Sequence, residues 1–173
     1  MNRLITVLGL LVAFAFTAAP AGAQMIYLQG GADFPSSSAL NQSFETGFNV
    51  GVGVGIPVTP YLEGVIQGSY DRFGGKLSGS DAFSSYSATG HLKLNGPPVN
   101  RRFMPYAKAG GGLFRLGIEE AFETEFGLEF GAGVGIRTAR RVNLMVEPNY
   151  VLVLTEGENV QYFPIRIGAS FAL

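Results

Sequence analysis

The sequence predicts an all-β protein, an eight-stranded antiparallel up-and-down transmembrane β-barrel. Three observations lead to this fold class. Eight nine-residue windows alternate between apolar and small or polar residues, which is typical of strands. The connections between them alternate in length, and the small or polar face is built largely of glycine with few charges. The windows cover residues 26–34, 48–56, 62–70, 86–94, 105–113, 128–136, 144–152 and 163–171.

The composition excludes several other classes. The 173 residues include 25 glycines and no cysteine; 14% are charged, 47% are hydrophobic and the mean hydropathy is +0.25. Disordered chains carry more charge and fewer apolar residues, and nucleic-acid binders carry a basic excess, whereas the net charge here is -1. A chain without cysteine forms no disulfide and no thiolate metal site. We therefore expect no nucleic-acid partner, no metal and no cofactor.

Residues 1–23 have the pattern of an export signal. Arg3 gives a basic start, residues 4–19 are apolar apart from two threonines, and Ala21-Gly22-Ala23 is a small-x-small cleavage site. We expect a signal peptide over residues 1–23 that is cleaved after Ala23, which leaves residues 24–173 as one barrel domain. An uncleaved anchor helix is the alternative.

Strand length and connection length both fit a membrane barrel. Nine residues at ~3.3 Å each, tilted by ~40°, span about 23 Å, close to the ~25 Å apolar band of such barrels. The connections after the odd windows have 13, 15, 14 and 10 residues, and those after the even windows have 5, 10 and 7. Residues 35–43 are expected to form a polar loop. Pro148 falls inside a window, which predicts a bulge at Pro148–Asn149.

The polar face of the windows is expected to line the lumen. On a soluble barrel this face would meet water and be rich in charge, but here glycine dominates it. Its charged residues have both signs: Glu63, Lys93, Lys108, Glu129, Glu147 and Arg166, with Arg137 joining from the turn end of the sixth strand. Isolated buried charges are costly, so we expect Glu63 to pair with Lys93, and Glu147 with Arg166. Solvated charges on a soluble barrel are the alternative.

Aromatic residues are distributed between the two faces. Tyr27, Tyr61 and Tyr106 are expected in the lumen at the turn end of odd strands, where they would pack over glycines of the even strands. We interpret them as a packing device rather than a ligand cage. The outward aromatics gather at the loop end, as in an interfacial girdle: Phe34, Phe48, Tyr70, Tyr86, Tyr150 and Phe163.

Several motifs resemble a known family, the small outer-membrane β-barrels typified by the transmembrane part of outer-membrane protein A and by outer-membrane protein X. The motifs are Pro60-Tyr61-Leu62-Glu63, Pro105-Tyr106-Ala107-Lys108-Ala109-Gly110, Gly131-Ala132-Gly133-Val134-Gly135-Ile136, and Asn143-Leu144-Met145-Val146-Glu147 with Tyr150. Residues 163–173 resemble the carboxy-terminal signal that the barrel-assembly machinery reads. The resemblance implies a monomer in outer-membrane lipid of a diderm bacterium, with four loops outside and both termini in the periplasm.

Other chemistry-bearing residues carry weaker signals. His91 is the only histidine and no cysteine accompanies it, so we interpret it as a polar lumen residue rather than a catalytic one. Acidic residues cluster in the third loop, and Glu156 and Glu158 lie in the fourth. The third-loop cluster is Glu119, Glu120, Glu123 and Glu125, and the basic turn residues are Arg101, Arg102, Arg140 and Arg141. Acidic loops could hold cations or a basic partner, and basic turns could approach anionic lipid, but solvated loops explain both.

Three functions fit the sequence. The first is a non-enzymatic structural or surface-interaction protein whose lumen is closed by ion pairs, with a surface partner that the sequence does not identify. The second is a small passive pore. The third is a secreted soluble barrel that binds a ligand.

Overall fold

The computed structural model describes residues 24–76, 81–100, 102–118 and 121–173, and these form one closed β-barrel. Each strand pairs antiparallel with its neighbour in sequence, and the first strand pairs with the last. The predicted fold class is therefore confirmed. The strands are β1 Met25–Pro35, β2 Gly47–Pro57, β3 Leu62–Phe73, β4 Phe83–Asn95, β5 Phe103–Ile118, β6 Ala121–Ala139, β7 Val142–Leu154 and β8 Val160–Ala172, with a short helix, α1, at Ser38–Ser43.

The strands extend further than the predicted windows at the loop end, which is the end where β1–β2, β3–β4, β5–β6 and β7–β8 connect. β5 continues to Ile118 and β6 begins at Ala121, so most of the predicted third loop is strand. The alternation persists there with its polarity exchanged. Phe114 and Leu116 face inward and are 1% and 6% exposed, whereas Arg115 faces outward. The predicted windows therefore stop where the outward residues cease to be apolar, although the strands continue.

Helix α1 replaces part of the predicted polar loop between β1 and β2. Its Leu40 is 3% exposed and packs into the mouth of the barrel. Backbone hydrogen bonds fix the connection: the Ser36 and Ser37 amides donate to the Gln161 carbonyl, and the Glu45 amide donates to the Gly74 carbonyl. Tertiary contact, which local propensity does not report, favours the helix here.

The predicted bulge at Pro148–Asn149 is wrong. Pro148 pairs with Ile165 of β8, and the β6–β7 register is the same on both sides of it. The β6–β7 ladder has no pairs between residues 132–133 and 147–148. Proline has no N–H to donate, so the ladder is interrupted beside Pro148, and no extra residue is inserted there. The register shift lies instead between Arg137 and Ala139, beside the β6–β7 turn.

The outward face carries a belt of exposed apolar side chains. Val52, Leu92 and Ile167 are 59%, 60% and 63% exposed, and similar residues continue around the barrel. Such a belt is typical of a surface that faces lipid. A soluble ligand-binding barrel would place this face inward, so the arrangement contradicts that alternative. Within the part of the chain that the structure describes, no helix is long and apolar enough to cross a membrane.

Aromatic residues form a ladder on the outward face at the loop end. The rings of Phe48, Tyr70, Tyr86 and Phe122 follow one another from β2 to β6. Successive ring centroids are 6.2, 4.9 and 5.9 Å apart. On the opposite side of the barrel the rings of Tyr150 and Phe163 contact each other at a tilt, with centroids 5.0 Å apart. These positions agree with an interfacial girdle at the edge of the apolar belt.

Candidate functional site

The lumen is divided into three layers along the barrel axis. The first is an open vestibule at the turn end, where β2–β3, β4–β5 and β6–β7 connect. An ion cluster occupies the middle, and an apolar plug closes the loop end. The ion cluster comprises Asp71, His91, Lys108, Glu129, Glu147 and Arg166, and the apolar plug comprises Leu40, Phe73, Phe83, Phe114, Leu116, Val151, Val153 and Tyr162.

Glu129 is the centre of the ion cluster. The guanidinium Nη1 of Arg166 donates to Glu129 Oε1, and Lys108 Nζ lies 3.0 Å from the same oxygen. His91 Nε2 lies 3.4 Å from Glu129 Oε2. Lys108 also bridges to Glu147, with 2.7 Å between Nζ and Oε1. Arg166 Nη2 lies 3.9 Å from Asp71 Oδ1.

Burial makes these contacts obligatory. Glu129 is 0% exposed, Arg166 is 1% and Glu147 is 2% exposed. A charge taken out of water loses several kcal/mol of hydration, roughly, which only close opposite charges and hydrogen bonds can offset. The cluster therefore holds charges of both signs in close contact across the barrel.

A second polar group lies between the ion cluster and the vestibule. The Tyr27 hydroxyl donates to Glu63 Oε1 at 2.6 Å, and Lys93 Nζ donates to the Tyr27 oxygen at 3.0 Å. Lys93 Nζ also lies 4.2 Å from the Tyr106 ring centroid and 3.9 Å from Glu63 Oε2. The ammonium is thus held by a carboxylate, a hydroxyl and the faces of two rings.

Glycines make room for the lumen tyrosines. Tyr27 is paired with Gly53 and Tyr106 with Gly133 across adjacent strands. A Cβ at Gly133 would come within 2.6 Å of Tyr106 Cζ, closer than a methyl group tolerates. The glycine-rich inward face is therefore a packing requirement of a narrow barrel whose lumen holds large side chains.

The apolar plug seals the loop end of the lumen. Phe73, Val151 and Tyr162 are fully buried, and the Phe73 and Tyr162 rings meet edge-to-face at 5.3 Å. Helix α1 covers them with Leu40. A plug of this kind excludes water by dense packing alone, without ion pairs.

Open space borders the packed part of the lumen at both ends, with about 590 Å³ at the loop end beside the apolar plug. The vestibule has a volume of about 430 Å³ and is bounded inward by Tyr27, Lys93 and Tyr106. Deeper in the lumen, a void of about 10 Å³ lies beside Gln67 and Lys108. Roughly one water occupies that much space, so this void does not extend the vestibule into a channel.

Three predictions about the lumen residues are wrong. Arg137 is exposed at the rim of the vestibule, where its Nη2 lies 3.8 Å from Met104 Sδ, and it does not join the ion cluster. Tyr61 borders the vestibule from the β2–β3 turn but is 61% exposed and does not pack inside the barrel, because β3 begins only at Leu62. Glu147 and Arg166 face each other in register but ion-pair with other residues, Glu147 with Lys108 and Arg166 with Glu129. Glu63 and Lys93 do approach each other, at 3.9 Å.

The acidic third loop also requires correction. Glu123 and Glu125 lie on β6, in the part of the β5–β6 hairpin that projects beyond the apolar belt. Glu119, Glu120, Arg101 and the predicted signal peptide lie outside the described residues. Within the described ranges, no group of three or more His, Asp and Glu side chains is placed to hold a metal ion.

Two lumen carboxylates were missed, and the sequence contained a signal for both. Asp33 and Asp71 are 0% exposed, and Asn49 Nδ2 donates to Asp33 Oδ1 at 2.6 Å. Asp33 lies on the polar face of the first window, in phase with Tyr27. Asp71 lies one step past the third window, in phase with Glu63. Counting Asp33 among the charges of the first window, and extending the third window by one residue to Asp71, would have identified the acidic layer beneath the plug.

Comparison with known proteins agrees with this architecture. Residues 6–172 match the profile of a family described as outer membrane protein beta-barrel domain, and no curated protein sequence matches. Neisserial surface protein A is 19% identical with a TM-score of 0.73, over 87% of this chain and 97% of its own. Ail, the attachment invasion locus protein of Yersinia pestis, is 16% identical with a TM-score of 0.50, over 88% of this chain and 100% of its own. The outer membrane enzyme PagL is 13% identical with a TM-score of 0.55, over 86% of this chain and 99% of its own. Similarity at these identities shows the fold.

Proposed function

Since this chain belongs to the outer membrane protein beta-barrel domain family, we propose that it is a non-enzymatic barrel of the bacterial outer membrane with a structural or surface-interaction role. The loop end faces the exterior and the turn end faces the periplasm. The observation that carries the proposal is the double closure of the lumen, by the ion cluster and by the apolar plug. A barrel closed in this way presents its outer surface and loops rather than a passage.

The test of closure is electrical. The folded protein, reconstituted in planar bilayers beside a porin control, is expected to give no steady single-channel current. Arg166→Ala is also expected to be silent, because the apolar plug still excludes water at the loop end. A steady current from the unaltered protein would refute the closed lumen.

The passive pore is the second candidate, and the vestibule of about 430 Å³ is the observation that favours it. A pore would require thermal opening of the ion cluster and of the plug. In that case the unaltered protein conducts, and Arg166→Ala conducts more because a large cation has left the constriction. The same bilayer recordings therefore separate the two functions.

A catalytic role has less support. PagL is an outer membrane enzyme and shares the fold, but fold similarity does not transfer an activity. The chain has one histidine, His91, which is 4% exposed and lies beside Glu129 within the closed lumen. A substrate in the membrane or in water would not reach it there.

The orientation has a direct test because the natural chain contains no cysteine. Glu45→Cys places a thiol at the loop end, and Arg140→Cys places one at the turn end. A membrane-impermeant maleimide is expected to label the first variant in intact cells, and the second only after the outer membrane is broken. The opposite result would refute the proposed orientation.

A further inference from the structure

The outward face of the barrel carries very little charge, and the charge that it carries has one sign. Along the described strands, the side chains that share a face with the apolar belt include two charged residues, Arg72 on β3 and Arg115 on β5. Both lie at the loop end. Each is the next outward residue beyond the belt on its strand, after Tyr70 and Leu113 respectively. No outward carboxylate accompanies them on these strands.

The two arginines flank the aromatic ladder. Tyr86 of β4 stands directly between Tyr70 of β3 and Arg115 of β5, and Arg72 lies one outward position above Tyr70. The Arg115 guanidinium carbon is 5.1 Å from the Phe122 ring centroid, which fixes it against the ladder. Because β3 and β5 are separated by one strand and the two arginines are two residues out of register, their backbones are about 10 Å apart in the pairing direction and about 7 Å apart along the strands. Two long side chains at that spacing can reach one head group.

A shallow cavity of about 370 Å³ lies beside these residues. It is lined by Tyr70, Arg72, Asp81, Ala82, Ser84, Tyr86 and Phe122. Asp81 is the carboxylate on this lining, but none of the ion pairs formed by the described residues includes Arg72, Arg115 or Asp81. Among the described residues, the two guanidinium groups therefore have no carboxylate counter-ion. A planar guanidinium group can donate two parallel hydrogen bonds to two oxygens of one phosphate. Interfacial aromatic rings lie at the level of the lipid head groups.

We infer that Arg72, Arg115 and the rings of Tyr70, Tyr86 and Phe122 form a lipid site that binds the phosphate of an anionic lipid in the leaflet at the loop end. The site is called the girdle site below. This inference rests on the proposed function in one respect, namely that the apolar belt spans a bilayer. The aromatic rings hold the acyl boundary, and the two arginines supply the counter-charge to the lipid phosphate. A basic residue near an anionic membrane surface contributes about fivefold in affinity, so two contribute about thirtyfold.

The experiment compares lipid binding by folded protein variants. Purified protein in dodecyl maltoside micelles is titrated with phosphatidylglycerol or with phosphatidylcholine of the same acyl chains, and bound lipids are counted by native mass spectrometry. The double variant Arg72→Gln/Arg115→Gln removes the girdle site. The matched control, Arg140→Gln/Arg141→Gln, removes the same charge from the exposed β6–β7 turn. Heat-modifiable migration in gels confirms that each variant is folded.

The unaltered protein and the turn variant are expected to prefer phosphatidylglycerol to phosphatidylcholine. The girdle variant is expected to bind phosphatidylglycerol about thirtyfold more weakly and phosphatidylcholine as before. Equal loss in both double variants would overturn the inference, because net charge would then explain the preference. Displacement of phosphatidylglycerol by millimolar inorganic phosphate would also overturn it, in favour of a soluble anion. The proposed function is tested separately by adding the folded protein to lipid vesicles, where failure to insert would refute that function rather than the lipid site.

Discussion

Replacing Glu129 by glutamine distinguishes two ways in which charge can stabilise the lumen. Among the described residues, five buried carboxylates face three buried basic side chains in the lumen. They are Asp33, Glu63, Asp71, Glu129 and Glu147, against Lys93, Lys108 and Arg166. Counting charge alone, Glu129→Gln reduces the negative excess and should stabilise the barrel. Counting contacts, it removes the acceptor on which Arg166 and Lys108 converge.

The contacts predict that Glu129→Gln lowers the free energy of unfolding substantially. Without the Glu129 carboxylate, the nearest carboxylate oxygen to Arg166 is that of Asp71, 3.9 Å away, whereas Lys108 keeps Glu147 at 2.7 Å. Breaking a fully buried ion pair costs about 3–5 kcal/mol, and the surviving partner of Lys108 places the expected loss near the lower figure, about 3 kcal/mol. Glutamine has nearly the shape of glutamate, so no cavity contributes to this loss.

The free energy of unfolding in urea, measured on protein folded into lipid vesicles, tests this prediction. The chain has no tryptophan, so circular dichroism and gel migration report the transition. Glu63→Gln is expected to lower the free energy of unfolding by about 1 kcal/mol, because the residue borders the vestibule and the glutamine can still accept the hydrogen bond from the Tyr27 hydroxyl. Exposed Glu45→Gln is expected to leave the midpoint unchanged. A Glu129→Gln variant as stable as the unaltered protein, or more stable, would refute the reasoning.

Two further predictions concern packing. Leu40→Ala, which truncates the α1 side chain in the apolar plug, is expected to lower the free energy of unfolding by about 2–5 kcal/mol in the same urea assay. A change below about 0.5 kcal/mol would mean that α1 does not stabilise the plug. Gly133→Ala is expected to destabilise the barrel, because the new methyl would meet the Tyr106 ring, whereas Gly90→Ala meets nothing within 4 Å and should be tolerated. Equal effects of the two alanines would contradict the packing role of the lumen glycines.

The fold could be predicted from the sequence because one rule acts eight times. Each strand presents an apolar or small residue to lipid at every second position, and the inward positions between them are small or carry polar side chains that find partners in the lumen. This rule assigned Glu63, Lys93 and Glu129 to the lumen without any knowledge of contacts. It did not extend to Phe114 and Leu116, because β5 leaves the lipid at Leu113 and its outward residues become polar while its inward residues become apolar. The apolar plug was therefore invisible to a search that relied on an apolar outward face.

The partners of the lumen charges could not be predicted for a different reason. Neighbouring strands fix the backbone register, and Glu147 does lie opposite Arg166 on β8. In a narrow barrel, however, a long side chain reaches across the lumen to strands that are distant in the sheet, and the tilt and stagger of all eight strands decide which one it meets. Glu147 meets Lys108 two strands away, and Arg166 meets Glu129 of β6 and Asp71 of β3. Because these contacts cross the lumen instead of running along its wall, they occlude the passage, which is why the cluster argues for closure rather than for a charged pore.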